Sequence, residues 1–426
     1  PNNSIWTIYA DPNQGAWIGT YGGKIAYCSL YDAHVRYFNP SPGGLNHPIV
    51  SSFQEDQLGN IWIGTEGGGL NYWDRKNDSF HHFIKSSTDS PNSNMIKRLR
   101  FDSENQRLLI SAFSGGLTAY DPAGRTFNDL HFFFPGSRQP LTIYDFVQDE
   151  EGTWWMTDPN QPFLYKRKKN ADTEIVKIIG ANDEKLNLDI ATLYLDNQYN
   201  LRLITQQGLY VVDRNTLKVL KHYLIQDAPY SANNLSCHHE SSNGDLWLGT
   251  LGRGVNVLKK DGTYLNFNSN NGFPPKMVFG ILEDDSSKII WLSTSDGIYS
   301  YNPKSAKFEK ARFDKENKCG SFYIRAAYKT AKGELFFGGT NGFLLFDPAH
   351  TGKNPQKPRV FFTGFLVNNT EVTASSASSP LSKDISSLSN RRDERIRLSS
   401  SESNIEIRFS ANSYLAADKN QFAYRM

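Results

Sequence analysis

Several chemically capable side chains stand at equivalent places in otherwise different stretches. Counting back from the polar turn that closes a short strand, apolar residues recur six and three places earlier. They are Val50 and Phe53, Ile96 and Leu99, Ile143 and Phe146, Ile190 and Leu193, and Val278 and Ile281. The two positions after the first apolar residue should face away from that core. They read Ser51-Ser52, Lys97-Arg98, Tyr144-Asp145, Ala191-Thr192, Cys237-His238, Phe279-Gly280 and Arg325-Ala326. This set is polar and unequal. Lys97, Arg98, His238 and Arg325 would gather cationic donors, which suit charge-assisted bonds to an acidic or sulfated sugar better than to a neutral one. Tyr144 offers a stacking face and Asp145 an acceptor. Arg253 and Phe113, in turns after the second strand of their repeats, could approach the same end. A plain water-filled channel is the alternative, because pocket positions are weakly marked in a sequence.

Other chemistries find less support. Glycoside hydrolysis needs two carboxylates about 5–10 Å apart. The carboxylates Asp56, Asp149, Asp196 and Asp284 instead sit in repeated turn positions, where a structural role explains them. Cys28, Cys237 and Cys319 fall in different repeats without a CxxC pair, which is neither a disulfide framework nor a metal site. No catalytic residue, metal or cofactor is expected. The 46 basic and 44 acidic residues nearly balance. That gives no electrostatic case for nucleic acid or an anionic membrane surface. No apolar run approaches the ~18 residues of a membrane span.

The elements that must position these residues are organised by one phrase. It is clearest at Asn60–Gly69, Asn-Ile-Trp-Ile-Gly-Thr-Glu-Gly-Gly-Gly, and returns around Trp17, Trp247 and, weakened, Trp291. Fainter copies stand at Leu109, Trp155, Arg202 and Phe336. Successive anchors lie 44 to 47 residues apart. A period of about 40–50 residues rich in strands predicts propeller blades. In the second repeat, Val50–Glu55 is a strand and Asp56–Gly59 a turn. Ile61–Thr65, Leu70–Asp74 and Phe80–Ile84 are further strands, with Trp62 packed between blades. The loop Asn128–Pro140, with Phe132-Phe133-Phe134, is long and apolar, hence functional or packed on a neighbour.

Eight anchors do not require eight blades. The last repeat has three strands and lacks an outer one. The donor is expected to be His34–Asn39, giving seven blades, with eight as the alternative. Residues 1–30 are then strands left from a preceding propeller, 31–357 the propeller, and 358–426 a truncated, Ig-like β-sandwich. In that last part Val360–Val367 reads as a strand. Ile405, Ile407 and Phe409 alternate as in a strand with one face buried, and Gln421–Met426 begins another. The chain reads as a piece of something longer.

The phrase Asp-x-x-Gly-x-Ile-Trp-Ile-Gly-Thr-x-x-Gly-Gly-Leu, at Asp56–Asp74 and reduced at Asp285–Pro303, resembles the two-component regulator propeller repeat. The tail Asn404–Met426, with Asn412-Ser413-Tyr414 and Asn420–Arg425, resembles the tyrosine-containing β-sandwich that follows such propellers. The resemblance covers nearly the whole chain. It implies the periplasmic sensor region of a hybrid two-component system of gut Bacteroidetes. There, two propellers and the sandwich precede a membrane helix, a histidine kinase, a receiver and a helix-turn-helix domain. Its usual role is to detect oligosaccharides, and the expected assembly is a homodimer. The membrane helix and kinase are absent from this chain. The sandwich would transmit the signal and not recognise ligand. A propeller glycoside hydrolase or polysaccharide lyase, and a protein-interaction scaffold, are the competing functions.

Overall fold

The computed structural model describes residues 4–11, 15–29, 35–86, 89–158, 161–169, 171–196, 198–205, 207–223, 235–311, 318–351, 360–388, 395–402 and 404–411. The chain divides into two compact units, His34–Thr351 and the remainder.

Local chemistry sets the strands of the larger unit. Asp56 opens a turn in which its Oδ1 accepts the backbone N–H of Leu58 and of Asn60, both at 2.9 Å. Asp149 does the same for Glu151 and Thr153, and Asp196 for Gln198 and Asn200. A carboxylate that satisfies two turn amides ends one strand and starts the next. The threonine of the recurring phrase has a matching task. Thr65 and Thr250 donate from Oγ1 to the carbonyls of Gly69 and Gly254, each at 2.9 Å, closing the turn into the third strand.

Among the described residues seven four-stranded antiparallel sheets result. Blade 1 spans Val50–Glu55 to Ser79–Phe83 and blade 2 Ile96–Asp102 to Thr126–Asp129. Blade 3 spans Asp145–Gln148 to Glu174–Val176 and blade 4 Ile190–Leu195 to Val219–Tyr223. Blade 5 spans Leu235–Glu240 to Tyr264–Phe267 and blade 6 Val278–Glu283 to Lys307–Lys310. Blade 7 takes three strands from Phe322–Phe346 and its outer strand, Val35–Phe38, from the other end of the unit. The register is Phe343 opposite Phe38, Leu344 opposite Tyr37 and Phe346 opposite Val35.

Seven apolar clusters join these blades pairwise in a cycle. Trp62 packs with Ile96 and Leu99 between blades 1 and 2, and Trp155 with Ile190 and Leu203 between blades 3 and 4. Leu109 with Phe146, Ile204 with Leu235, Trp247 with Val278, and Trp291 with Phe337 fill four more junctions. Phe343 and Phe336 meet Val50 and Phe53 between blades 7 and 1, which closes the ring. Each fully buried Phe or Leu contributes about 1.5–3 kcal/mol relative to exposure. The Arg75 guanidinium adds a two-pronged contact from blade 1 to Glu334 of blade 7, 2.6 Å on both arms. The charged anchor, Arg202, is paired with Asp196 at 3.1 Å and stays about a quarter exposed (24%). The aromatic loop after blade 2 packs on its neighbour: Phe132 is buried between blades 2 and 3.

Among its described residues the smaller unit holds two sheets. Ile5–Asp11, Gly15–Thr20 and Ile25–Ser29 form one, with Trp6 and Ile8 exposed. Thr370–Glu371, Val360–Val367 and Ile405–Ala411 form the other. Its core is Phe365, Val367 and Leu381, with Ile385 and Ile396 against them. The alternating strand Ile405–Ala411 is not buried on one face as its pattern predicts. Ile405, Ile407 and Phe409 are 41–48% exposed, because the described residues that build this core, Leu381, Ile385 and Ile396 among them, pack with Phe365 and Val367. The segment 352–358 and the tail 412–426 lie outside the described residues.

Candidate functional site

The seven inner strands present their early residues to the ring's axis. In most of them the pairing slips by one residue just after the first buried side chain, between Val50 and Ser52, Ile190 and Thr192, Leu235 and Cys237, and Val278 and Gly280. Blade 2 slips in the same place, beside Lys97. Such a bulge frees one residue from the ladder and re-aims its side chain. In blade 7 the irregular stretch is longer, from Phe322 to Ala327, and Arg325 within it has a left-handed backbone, φ 62°.

Asp145 of blade 3 is the hub, and it is fully buried. Its carboxylate accepts from Arg100 at 3.0 Å and lies 3.7 Å from Arg98 Nε, both from blade 2. It also accepts from the hydroxyl of Thr192 and, at 3.4 Å, from the amide of Leu193 in blade 4. Burial alone would raise this carboxyl; Arg100, Arg98 and Arg325 outweigh it and hold the group well below the usual carboxylate range. Burial, with Arg100 and Arg325 nearby and Asp145 opposing, draws Arg98 down to about 10, so it stays charged at neutral pH.

A second group lies beside it. Lys97 Nζ is 2.6 Å from Glu66 Oε2, and both side chains are nearly buried. The Tyr323 hydroxyl donates to Glu66 Oε1 at 2.9 Å. Burial and the Glu66 carboxylate push that phenol up. Lys97 Nζ also lies 4.9 Å from the centre of the Tyr144 ring and 5.6 Å from that of Phe113. One ion pair is thus flanked by three aromatic rings at one mouth of the channel.

Of the expected residues, Lys97, Phe113 and Tyr144 converge here, and Arg98, Asp145 and Arg325 converge just beside them. Arg253 sits on the blade 5 turn Thr250–Gly254, at the same end of the ring as Glu66 and Phe113 but in another blade. His238 must be corrected. Leu235, opposite Thr250, is the first buried residue of its strand, as Val50 is opposite Thr65. Ser236 donates to the Val278 carbonyl just as Ser51 donates to that of Ile96. The axial pair in blade 5 is therefore Ser236-Cys237, and His238 takes the slot of Phe53 and Leu193. Its ring stacks on Tyr194, centroids 4.3 Å apart. Burial, aided by Arg98, His239 and Arg100 and opposed by Asp145, pulls it down to about 3, so it is neutral and not a cationic donor.

Glu66, Arg100 and Tyr323 belong to the site although their positions alone did not announce them. The group holds Lys97, Arg98, Arg100 and Arg325 against Glu66 and Asp145, an excess of two positive charges. Its donors are directed by neighbours, and Asp145 is held ionised and cannot deliver a proton. Such an arrangement suits recognition by hydrogen bonds and stacking better than acid–base chemistry.

Comparison with known proteins agrees with this architecture. The two-component regulator propeller family matches residues 1–22 and 44–67. A protein of Formosa agariphila named histidine kinase P4 is 25% identical over 442 residues, covering all of this chain and 31% of that protein. The extracellular domain of a hybrid two-component system of B. thetaiotaomicron superposes with a TM-score of 0.71 at 22% identity, covering 87% of this chain and 50% of that one. A second such domain from the same organism gives 0.61 at 19% identity, covering 87% and 50%. The chain spans about a third of the length of the first relative and half of the solved domains. Residues 1–22 and 44–67 thus match the two-component regulator propeller, and the fold is that of these two extracellular domains of hybrid two-component systems.

Proposed function

We propose that this chain is the periplasmic ligand-sensing region of a hybrid two-component protein and that an oligosaccharide binds at the channel mouth. The observation that carries this is the Lys97–Glu66 pair, flanked by Phe113, Tyr144 and Tyr323 above the guanidinium cluster. Aromatic faces take the apolar side of a sugar ring, while the ion pair and its neighbours serve hydroxyls. The positive excess favours an acidic or sulfated sugar. Signalling would pass to a histidine kinase, across a homodimer, through the C-terminal β-region. The sheet Ile5–Ser29 has three strands in blade order while Val35–Phe38 serves blade 7, which supports assigning residues 1–30 to another propeller.

Calorimetry with sulfated and neutral oligosaccharides tests the site. The sulfated ligand should bind, and Phe113→Ala/Tyr144→Ala should weaken it by about ten-fold, or ~1.4 kcal/mol. Unchanged affinity in the double variant, or tight binding of neutral glycans alone, would overturn it. Product release from any glycan during the titration would favour an enzyme instead.

A further inference from the structure

Three guanidinium groups share one carboxylate at the axis of the ring. Asp145 accepts from Arg100 at 3.0 Å and lies 3.7 Å from Arg98 Nε, and Arg325 is near enough to help hold it ionised. That carboxylate has no capacity left. It already accepts from Arg100, from the Thr192 hydroxyl and from the amides of Phe146 and Leu193. Among the described residues no second carboxylate forms an ion pair with any of the three arginines. The Lys97–Glu66 pair beside them is balanced within itself, and His238 is neutral. Two positive charges are therefore left over in the channel.

The hydrogen-bond donors are left over in the same place. A guanidinium carries five N–H donors. Arg98 gives one, from Nη1 to the Arg325 carbonyl at 3.3 Å, and Arg325 gives one, from Nη1 to the Ala191 carbonyl. Nε and Nη2 of both side chains have no hydrogen-bond partner among the described residues, and none of these four atoms is sealed from solvent. The Arg98 side chain is 27% exposed and Arg325 is half-buried. Both project from inner strands, so the solvent they meet is that of the channel. Arg100 differs: its Nε is closed off and its Nη2 is given to Asp145. Arg325 reaches across the axis from a left-handed backbone, φ 62°, and non-glycine residues kept in that region concentrate at ligand sites.

We infer that the channel binds a doubly charged oxyanion of the sulfate type between Arg98 and Arg325. Its two charges match the two left over, and the guanidinium fork fits paired oxygens of such an anion. A monovalent anion leaves one charge unmet, and a neutral sugar leaves both. The oxyanion is inorganic sulfate or the sulfate ester of a sugar. In the second case the inference deepens the reading above, and rests on it, by seating the ester in the channel and the sugar ring on Phe113 and Tyr144.

Calorimetry on the whole chain, with sodium sulfate and sodium nitrate at fixed ionic strength, tests the site. Sulfate should bind at millimolar concentration and at least about ten-fold more tightly than nitrate, and Arg98→Gln should remove about that factor. This variant leaves Arg100 on Asp145, so the ring should still fold. Arg98→Lys keeps the charge and loses the fork, and should weaken sulfate by about three-fold. Lys168→Gln/Lys169→Gln, on an exposed turn of blade 3, should bind sulfate as wild type does. No sulfate binding, equal binding of nitrate, no effect of either Arg98 variant, or loss of binding in the lysine variant would overturn the site. A glucose sulfate separates it from the reading above. If sulfate binds through Arg98 and the glucose sulfate binds no better, the anion site stands without the glycan. If the glucose sulfate binds wild type and Arg98→Gln equally, the glycan stands and the anion site falls.

Discussion

The Arg98 guanidinium of blade 2 donates to the backbone carbonyl of Arg325, in blade 7, at 3.3 Å. Arg325 in turn donates from its side chain to the carbonyl of Ala191 in blade 4. Blades 2, 7 and 4 are not neighbours, so these bonds cross the axis, and the channel is bridged by side chains. Removing the bridge should loosen the ring. Arg325→Ala keeps the main-chain carbonyl that Arg98 meets but leaves the Ala191 carbonyl without its donor, and is expected to cost about 1–3 kcal/mol in urea denaturation. Arg325→Gly loses the same bond but relieves the left-handed backbone, so it should be about 1 kcal/mol less damaging. If the two variants are equally stable, the backbone at Arg325 carries no strain.

Asp145→Asn leaves three guanidinium groups facing a neutral amide. The expected loss is about 3–5 kcal/mol, the scale for breaking a buried pair. The pH dependence has a definite sign. Asp145 lies below its ordinary value of 3.8 when folded, so its contribution is present above pH ~4 and is lost as the pH falls from there toward the folded value. Wild-type stability should therefore drop below pH ~4, and the variant's should drop less. Parallel acid unfolding curves for the two proteins would refute this.

His238 works in a different window. Its folded value of about 3 lies under the ordinary 6.5, so the unfolded chain binds the extra proton between them. Stability from the neutral ring is complete above pH 6.5 and declines as the pH falls toward 3. His238→Phe, in a slot filled elsewhere by Phe53 and Phe146, should flatten the decline between pH 6.5 and 4. An NMR titration should show no imidazole transition for His238 between pH 5 and 8; a midpoint near 6.5 would contradict the buried, neutral ring.

Glycines at the start of third strands explain a further prediction. A Cβ on Gly69, Gly208 or Gly254 would run into the carbonyl of Phe83, Tyr223 or Phe267 at the end of the same blade's outer strand. Gly342 meets the carbonyl of Phe38 in the same way, so the donated strand reproduces the geometry of a continuous repeat. Gly342→Ala combines an unfavourable φ of 96° with that clash, whereas Gly262, φ 89°, has open space around it. Gly262→Ala should cost about 1–2 kcal/mol, the backbone term alone. Gly342→Ala should cost clearly more by thermal unfolding. Equal losses would mean that the outer strand yields without penalty.

The blades were legible because each repeat solves one packing problem with the same residues: an aspartate or its substitute at the turn, a large anchor, a threonine and a glycine. The axial residues were legible only in part. Counting from Ser242 misplaced the register of blade 5, whose turn opens one residue earlier at Ser241; Ser236, His238 and His239 are all polar there, and no hydrophobic alternation fixes the phase. Arg325 lies in an irregular stretch longer than any other inner strand's, which spacing from the turn cannot reveal. Glu66 escaped because a counter-ion from the preceding blade becomes a neighbour of Lys97 only when the sheets stand side by side.

The outer strand of blade 7 has a consequence in time. Val35–Phe38 emerges from the ribosome about 300 residues before its partner Gly342–Phe346. At ~5–20 residues per second, that is roughly 15–60 s in which six blades can form but the ring cannot close. Through that interval the nascent chain carries the inner face of blade 1, Val50 and Phe53 included, without the Phe336 and Phe343 that later cover it. Retarding synthesis between residues 84 and 322 should therefore lengthen the period in which this protein needs a chaperone.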